Sequence, residues 1–287
     1  MIKRMKTGYF KTAIILFAAV TQLTGCMEAA LMKGVRDAAS GNVGQEEPNQ
    51  IPDDSNSSGG AIVPPDTGST AFSIQREAQK YKDRYELADT FAKLTDNRGD
   101  GVDELWGTRN FRVVLHGVMY RGGANNKYLS TPRNNVNPLP TVGLNNLCKE
   151  DFGASVYLYS ENYETAPRSV SCQNTSHQSH TMQYKQYAAA GENEAILQMV
   201  YNRIKGKMNG PIYAHCWNGW HSSGLISGMA LKQFCGWSNE KVDAYWVKNT
   251  DGNSSGFTTI RNRLKAFKPY VKFSITAAER AAICPTN

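Results

Sequence analysis

The sequence predicts an α/β fold with a central, mostly parallel β-sheet flanked by helices. Short apolar segments, such as "ASVYLY" and "PIYAH", have the composition of buried strands. Segments with helical periodicity alternate with them along the chain, which is the order typical of α/β layered domains. At 287 residues, 40% of them hydrophobic, the chain is long enough for one good-sized domain with extensions.

The first 25 residues are predicted to be a signal peptide, because a basic start precedes a short apolar core. The basic residues are Lys3, Arg4, Lys6 and Lys11, and the core "TAIILFAAV" is too short to span a bilayer comfortably. The stretch "LTGC" then resembles the bacterial lipobox, which implies cleavage and lipidation at Cys26. Met27, in place of an aspartate, favours the outer membrane. An ordinary secretory signal and a short membrane anchor stay open as alternatives.

Residues 26–71 are predicted to be the lipidated cysteine and a flexible tether, rich in Ser, Gly, Pro, Asn and Asp. The formal net charge of the chain is +7, and the leader carries four of the basic residues. Residues 26–72 carry a net charge of −5, which leaves about +8 for residues 73–287. A positive domain attracts anions, although a mixed, solvated surface is the alternative. No basic run or base-stacking motif points to nucleic acid.

The folded domain is predicted to begin with an amphipathic helix over residues 72–94, where apolar residues recur at helical spacing. Residues 96–107 follow. The spacing of their acidic residues and glycines weakly resembles that of a calcium-binding EF-hand loop. Arg98 and Gly107, however, occupy the third and twelfth ligand positions, where calcium needs oxygen ligands. A polar turn is therefore the better interpretation of this segment.

The remaining elements are predicted in chain order from their patterns. "FRVVLHGVMYRGG" has a strand composition broken by glycines, as in a hairpin, and "GLNNLCKEDFGASVYLY" indicates a helix followed by a buried strand. A polar stretch, residues 160–191, comes next. "ENEAILQMVYNRIKG" is a strongly amphipathic helix, and "PIYAH" is a short strand that leads into Cys216. Three further helices are predicted at "GLISGMALKQFC", "NEKVDAYWVKN" and "GFTTIRNRLKAF".

The number of cysteines fits an exported protein. With Cys26 acylated, five remain, namely Cys148, Cys172, Cys216, Cys235 and Cys284. Because five is odd, at least one thiol stays free within the chain. If Cys216 has to be a thiolate, the other four can form two disulfides in an oxidising compartment. Three pairings are possible, and Cys148–Cys172 with Cys235–Cys284 is the favoured one.

The stretch "IYAHCWNGWHSSG" predicts an anion-binding loop around a cysteine. A strand that turns sharply into a helix leaves backbone N–H groups pointing into the loop, where a phosphate-like anion can bind. The same field favours the Cys216 thiolate over the thiol, and this combination suits in-line attack on a phosphate ester. Gly219 would allow the turn, Ser223 would stabilise the sulfur anion, and His215 would support the loop through hydrogen bonds to its backbone.

This stretch resembles the loop of the cysteine-dependent phosphatases, in particular the dual-specificity and atypical tyrosine phosphatases, which reads His-Cys-x-x-Gly-x-x-Arg-Ser/Thr. The matching residues are His215, Cys216, Gly219 and Ser223. "FRVVLHGVMYRGGANN" and "LNNLCKEDFGASVYLY" also resemble early segments of the family, and Arg121 aligns there with a structural position. The resemblance implies a phosphatase-like domain over residues 72–287, with its core at about 105–270. It also implies substrate contacts from Trp217, Asn218, Gly219, Trp220, Ser222 and Gly224.

Two departures from the family pattern bear on activity. Ser222 stands where the family has the arginine that binds two phosphate oxygens, and a hydroxyl does not reproduce that charged fork. Residues 174–191 contain no carboxylate to act as the family's general acid. Such losses cost about 10²–10³-fold and 10²–10⁴-fold in rate, respectively. His221 is a candidate catalytic substitute, as are His177 or His180, although packing and solvation are the alternatives for these histidines.

The sequence leaves more than one function open. The first is an envelope-anchored domain that binds a phosphorylated small molecule or protein, with atypical or residual hydrolysis through the Cys216 thiolate. The second is an inactive pseudophosphatase that binds a phospho-ligand or a protein partner. A third is a Cys–His thiol hydrolase, but adjacent strand residues point to opposite faces, which makes His215 a poor base. No cofactor or metal is expected, and the lipid anchor is the only membrane contact expected.

Overall fold

The computed structural model describes residues 71–125, 138–159 and 163–286. The predicted signal peptide, the lipidation at Cys26 and the tether lie outside the described residues. Within those ranges, none of the helices combines the length and the hydropathy needed to cross a membrane.

One β-sheet of six strands runs through the described part of the chain. The strands are β1 Thr108–Leu115, β2 Met119–Ala124, β3 Ala154–Tyr157, β4 Ser169–Gln173, β5 Ser179–Gln186 and β6 Ile212–Cys216. Their spatial order is β1-β2-β6-β3-β5-β4. The four central strands are parallel, and β1 and β4 pair antiparallel at the two edges. The predicted α/β class with a mostly parallel sheet is therefore confirmed.

Seven α-helices belong to the described ranges. They are α1 Ile74–Tyr85, α2 Thr141–Lys149, α3 Asn193–Ile204, α4 His221–Cys235, α5 Asn239–Lys248, α6 Thr258–Ala266 and α7 Ala277–Ile283. Helix α4 is buried along almost its whole length, because α3, α5 and α6 pack around it on the sheet. It ends at Gly236, whose left-handed φ of 68° closes the last turn.

The two faces of the sheet are covered by different helices, as the alternation along β6 shows. Tyr213 and His215 point to the face covered by α1 and α2, where an aromatic cluster includes Tyr81, Phe111 and Tyr213. Cys216, an odd number of residues from Tyr213, points to the opposite face, which α4 covers. The nucleophile candidate and its histidine neighbour therefore lie on opposite sides of the sheet.

Helix α1 is shorter than the predicted helix of residues 72–94. Ser73 caps its first turn by accepting a hydrogen bond from the backbone N–H of Arg76. Glu86 adopts a left-handed conformation with φ of 49° and ends the helix after Tyr85. The apolar spacing beyond Tyr85 comes from buried residues of the following loop, which share the core without continuing the helix.

The polar stretch of residues 160–191 contains a β-hairpin that its composition did not indicate. Strand β4 is an edge strand with mostly exposed side chains, so it has no apolar alternation to reveal it. Strand β5 turns only Met182 and Tyr184 fully into the core. Parallel pairing with β3, and not local propensity, stabilises this strand.

The favoured disulfide pairing is confirmed. Cys148 and Cys172 join α2 to β4, and Cys235 and Cys284 join the ends of α4 and α7. Cys216 is the free cysteine of the described residues. Within residues 96–107, the first part forms the expected polar turn, since the Asp96 carboxylate accepts hydrogen bonds from the backbone N–H groups of Arg98 and Asp100. Residues Asp103–Leu105 then form a short 3-10 helix that buries Leu105.

Replacing Cys148 and Cys172 together by alanine is expected to lower the free energy of unfolding by about 3 kcal/mol, because the bond restricts the unfolded chain. The same change at Cys235 and Cys284 should cost slightly more, since 49 residues separate that pair and 24 separate the first. Urea unfolding of the two double variants beside the wild type measures both losses. Unchanged stability in either variant would contradict the pairing.

Candidate functional site

Cys216 is the last residue of β6 and lies at the carboxyl edge of the parallel strands. In the sheet register it lies beside Gly123 of β2. Its sulfur is 3.5 Å from the hydroxyl oxygen of Ser223, in the first turn of α4. The residue is only 3% exposed. Strand, loop and helix thus bring these two of the predicted site residues into contact.

The loop between β6 and α4, residues 217–220, is held through its carbonyl groups. The carbonyl of Trp217 accepts a hydrogen bond from the backbone N–H of Ala124, at the end of β2, at 2.9 Å. The carbonyl of Asn218 accepts one from the side-chain amide of Asn110, in β1, at 2.7 Å. Strands β1 and β2 therefore supply the donors for the first half of the loop.

Arg121, in β2, holds the second half of the loop. Its Nη2 donates to the carbonyl oxygens of Gly219 and Trp220, at 2.5 and 2.9 Å. Its Nη1 donates to the hydroxyl of Tyr245, in α5, at 3.0 Å. The guanidinium group is fully buried, so it acts as an internal brace between the sheet and the loop.

The fixed carbonyl groups determine where the loop N–H groups point. A trans peptide unit carries its N–H opposite its C=O, so carbonyls of residues 217–220 that face β1 and β2 turn the N–H groups of residues 218–221 to the other side. In the described part of the chain, the backbone N–H groups of residues 218–223 have no hydrogen-bond acceptor. We refer to these six N–H groups as the amide cradle. Its last three belong to the first turn of α4, where helices leave N–H groups unpaired.

The close contact between loop and sheet requires glycine at two positions. A Cβ atom on Gly123 would lie 2.2 Å from the carbonyl oxygen of Trp217. Gly219 has a φ of 77°, and a Cβ atom there would lie 2.4 Å from the backbone of Gly122. The sharp turn expected of Gly219 is therefore present, and Gly123 is the residue of "MYRGG" that lets the loop approach β2.

Asp251, in the connection between α5 and α6, anchors the outer side of the loop. Its carboxylate accepts hydrogen bonds from Trp220 Nε1 at 3.1 Å, Lys93 at 2.8 Å and Arg112 at 3.0 Å. Burial raises the pKa of Asp251, but the Lys93 and Arg112 contacts outweigh it and hold the pKa below its usual value. Asp251 is thus a charged clamp on the ring of Trp220 and is not available as a proton donor.

His215 supports the loop from the aromatic face of the sheet. Its Nε2 lies 3.0 Å from the hydroxyl of Tyr184, which itself accepts a hydrogen bond from the backbone N–H of Leu139. The Tyr184 proton therefore points to Nε2, which places the imidazole proton on Nδ1, 3.4 Å from the carbonyl oxygen of Cys216. Complete burial lowers the pKa of His215 to about 3, so the ring is neutral.

His221 points away from Cys216. Its Nε2 donates to the carbonyl of Asn253 at 2.7 Å, and its ring stacks on Phe257 with a centroid distance of 3.6 Å. Burial lowers the pKa of His221, the hydrogen bond to Asn253 raises it, and the positive charge of Arg121 lowers it further. The net result is a pKa below the usual value. The catalytic role expected of His221 therefore has no supporting contact. Neither His215 nor His221 is placed to act as the base of a thiol hydrolase.

His177 and His180 lie at the wrong end of the sheet to act as proton donors. His177 is in the turn between β4 and β5, and His180 is the second residue of β5. Because β5 runs parallel to β6, this end of β5 is opposite to the carboxyl edge that holds Cys216. The His180 ring also hydrogen-bonds to the carbonyl of Phe152 at 2.7 Å.

The other predicted contact residues have mixed positions. Ser222, 6% exposed, lies in the first turn of α4 and contributes its N–H to the amide cradle. The N–H of Gly224 donates to the carbonyl of Trp220 at 3.2 Å, so it is not part of the amide cradle. The half-buried ring of Trp217 packs with the guanidinium of Arg109, 5.9 Å from the ring centroid.

Sequence reasoning missed the support that β1 and its preceding turn give to the loop. The side-chain oxygen of Asn97 accepts hydrogen bonds from Arg109 and from the Asn110 amide that holds the Asn218 carbonyl. Asn110 adopts a φ of 51°, unusual for a residue within a strand. No spacing in the sequence signals this contact, because the partners are 108 residues apart.

The chemistry available at this edge is nucleophilic. A thiol beside a hydroxyl group, next to six unpaired N–H donors, can bind an anion and attack its central atom. Across the ranges that the structure describes, no group of three or more His, Cys, Asp or Glu residues could hold a metal ion.

No protein family model matches the chain, and no curated protein matches it. Solved structures similar to it at low identity include the following two. TpbA of P. aeruginosa is 13% identical, with 54% of this chain and 86% of that chain covered and a TM-score of 0.35. The core catalytic domain of the PP-IP phosphatase SIW14 from S. cerevisiae, in complex with citrate, is 16% identical, with 56% and 86% covered and a TM-score of 0.35.

Replacing His215 by asparagine is expected to reduce the loss of stability in acid. A buried histidine with a lowered pKa stabilises the fold above its unfolded pKa of about 6.5, and that contribution is lost as the pH falls towards about 3. Between about pH 7 and pH 4.5, the wild type should therefore lose about 2 kcal/mol more than His215→Asn. Urea unfolding at the two pH values measures the difference, and equal losses would refute a neutral, buried His215.

Proposed function

We propose that the amide cradle binds the phosphate group of a phosphorylated small molecule or protein, and that the Cys216 thiolate attacks it with atypical or residual hydrolysis. The observation that carries this proposal is the set of six N–H groups without acceptors beside the Cys216–Ser223 contact. Unpaired N–H groups at a strand-to-helix turn bind anions such as phosphate. The positive charge of residues 73–287 favours the approach of such a substrate.

The proposed reaction forms a bond between the Cys216 sulfur and phosphorus while the ester P–O bond breaks. The leaving oxygen departs as an anion or takes a proton, and water then attacks phosphorus and releases phosphate and the thiolate. Between β5 and α3 the carboxylate is that of Glu192, one oxygen of which accepts a hydrogen bond from the backbone N–H of Ala188, and Glu194 in the first turn of α3 is paired with Lys272. Esters whose leaving group is a stable anion, such as aryl phosphates, should therefore be the better substrates.

The lack of an arginine in the loop limits the rate. The six N–H dipoles of the amide cradle can donate to phosphoryl oxygens, but they do not supply the positive charge of an arginine fork that would bind two of those oxygens. The affinity for the bound substrate should therefore fall only a little. The stabilisation of the transition state, where additional negative charge builds up, should fall more. This is the sense in which the activity is atypical.

The second candidate function is a pseudophosphatase that binds a phospho-ligand or a protein partner without turnover. Ser222 in the arginine position and the 3% exposure of Cys216 favour it. If a substrate cannot reach the Cys216 sulfur, Cys216 contributes to the electrostatic field of the loop and does not form a bond to phosphorus.

We further propose that the domain is lipid-anchored in a bacterial cell envelope, through Cys26 and the tether. The "LTGC" stretch supports the anchor, and the two disulfides support an oxidising compartment such as the periplasm. Metabolic labelling with a tagged fatty acid tests the anchor. Incorporation into the wild type and not into Cys26→Ser would support it, and equal incorporation would argue against it.

The decisive experiment compares wild type and Cys216→Ser on a panel of aryl and alkyl phosphoesters. The enzyme proposal expects hydrolysis by the wild type, fastest for aryl esters, with a loss of at least about 10³-fold in Cys216→Ser because the serine hydroxyl stays protonated. Release of inorganic phosphate is the readout.

Titration calorimetry with a non-hydrolysable aryl phosphonate separates the two functions. Binding by both proteins without turnover by either favours the pseudophosphatase. Turnover that is equal in wild type and Cys216→Ser would reject Cys216 as the nucleophile. Neither binding nor turnover would reject the phosphate-binding proposal itself.

Ser222→Arg is expected to raise the rate of aryl phosphate hydrolysis by at least about tenfold, because it restores a charged fork at the family position. Two matched controls separate charge from geometry. Ser222→Lys adds the charge without the fork and should give a smaller gain, and Ser222→Gln adds bulk alone and should give none. No gain in a folded Ser222→Arg protein would mean that the loop cannot present the side chain to a phosphate.

A further inference from the structure

Arg121 is a fully buried cation whose hydrogen-bond partners are all neutral. They are the carbonyls of Gly219 and Trp220 and the hydroxyls of Tyr245 and Ser223. Its Nε has no hydrogen-bond partner within the described ranges. No carboxylate of those ranges lies within ion-pair distance of the guanidinium. A buried charge in this condition is costly unless a counter-charge is close by.

Asp251, the acid that contacts Trp220 of the loop, is already paired with other cations. Asp251 forms ion pairs with Lys93 and with Arg112, at 2.8 and 3.0 Å. Arg112 itself is destabilised as a cation, since burial and then the charge of Arg121 lower its pKa to about 10. The interior beside the loop therefore carries more positive than negative charge, and it can stabilise an additional anion.

Ser223 connects this charge to the sulfur. Arg121 Nη2 lies 3.5 Å from the Ser223 hydroxyl oxygen, and that oxygen lies 3.5 Å from the sulfur of Cys216. The guanidinium can only donate, so the serine oxygen accepts from it. When the sulfur is a thiolate it can only accept, and the serine proton is then donated to it. A donor chain thus runs from Arg121 through Ser223 to Cys216.

We infer that Arg121 is a positioning residue that holds Cys216 as the thiolate through Ser223, and that the thiolate is the counter-charge of the buried guanidinium. The inference rests on the proposed function in taking the thiolate as the reactive form. The loop has no charged side chain at Ser222. In this proposal Arg121, in β2, supplies a positive charge to the Cys216 sulfur instead. That charge does not reach the phosphoryl group, because Arg121 lies on the carbonyl side of the loop, behind the amide cradle.

Other charged or titratable groups near the loop do not provide this charge. Tyr213 and His215 lie on the other face of the sheet and are neutral, because burial raises the pKa of Tyr213 and lowers that of His215. His221 is turned to Asn253, and Tyr245 accepts from Arg121. Arg112 and Lys93 are paired with Asp251. Among the described residues, Arg121 is the cation whose hydrogen bonds lead through Ser223 to the sulfur.

The test compares Arg121→Gln with Arg121→Lys in the full chain. Alkylation of Cys216 by iodoacetamide, followed by mass spectrometry of its peptide, is measured from about pH 6 to pH 9.5. At about pH 7, Arg121→Gln should react about tenfold more slowly than the wild type and should approach the wild-type rate at about pH 9.5. Arg121→Lys keeps the charge and should retain most of the reactivity. Thiolate absorbance in the ultraviolet, taken as the difference from the matching Cys216→Ser protein, should follow the same profile.

Two results would overturn the inference. An unchanged rate in Arg121→Gln at about pH 7 would show that the charge is not used. If the alkylation rate of Cys216 fell equally at every pH, and Arg121→Lys did not restore it, the role of Arg121 would be to hold the loop structure alone. Arg203→Gln is the matched control, because Arg203 is equally buried but hydrogen-bonds to the carbonyl of Gly117, at the opposite edge of the sheet. Arg203→Gln should leave the pH profile of Cys216 alkylation unchanged.

Ser223→Ala keeps the test valid if Arg121→Gln does not fold. It should show the same slower reaction near neutral pH and the same recovery at high pH, and an unchanged profile would reject the donor chain. Where Arg121→Gln does fold, the double variant with Ser223→Ala should lose no more than about the larger single effect, because both act through one path. None of these readouts needs phosphoester turnover, so the inference and the proposed function can fail separately.

Discussion

The attachment of the loop carbonyls to β1 and β2 is the constraint on which the site depends. Donors from Ala124, Asn110 and Arg121 take the four carbonyl groups of residues 217–220. Since a peptide unit carries its two polar groups in opposite directions, this attachment leaves the N–H groups free on the other side. The amide cradle is thus produced by the sheet, not by the loop alone. The glycines at 123 and 219 are needed because the attachment brings two backbones into contact.

The same arrangement separates two tasks that one loop arginine would otherwise perform. Stabilising a thiolate requires positive charge near the sulfur, and stabilising a transferred phosphoryl group requires it near the phosphoryl oxygens. Arg121 is placed for the first task, through Ser223, and is prevented from the second by its position behind the loop carbonyls. The proposed thiolate, beside a proposed phosphate site without a charged fork, is compatible with both functions proposed for the domain, a slow enzyme and a binding module.

The comparison of sequence and structure shows which signals were informative. The hairpin of "FRVVLHGVMYRGG", the helix before "PIYAH" and the strand–loop–helix at Cys216 followed from apolar periodicity and glycine placement, because these elements bury one face or turn sharply. The β4–β5 hairpin did not, since β4 is an exposed edge strand. The orientation of His221 could not be predicted either. A helix start leaves a side chain several directions, and Phe257, distant in sequence, selected one of them.

The sequence by itself determined the α/β layers and the position of a cysteine at a strand-to-helix turn, since these depend on local pattern and on residue chemistry. It left three disulfide pairings possible, and the tertiary structure decided between them. Only the tertiary structure decided which donors hold the loop, where the histidines point and which arginine lies beside the Ser223–Cys216 contact. Those outcomes depend on contacts between residues that lie from 31 to 108 positions apart in the chain. Such contacts form because the parallel sheet brings the ends of β2 and β6 side by side, and no local pattern encodes that register.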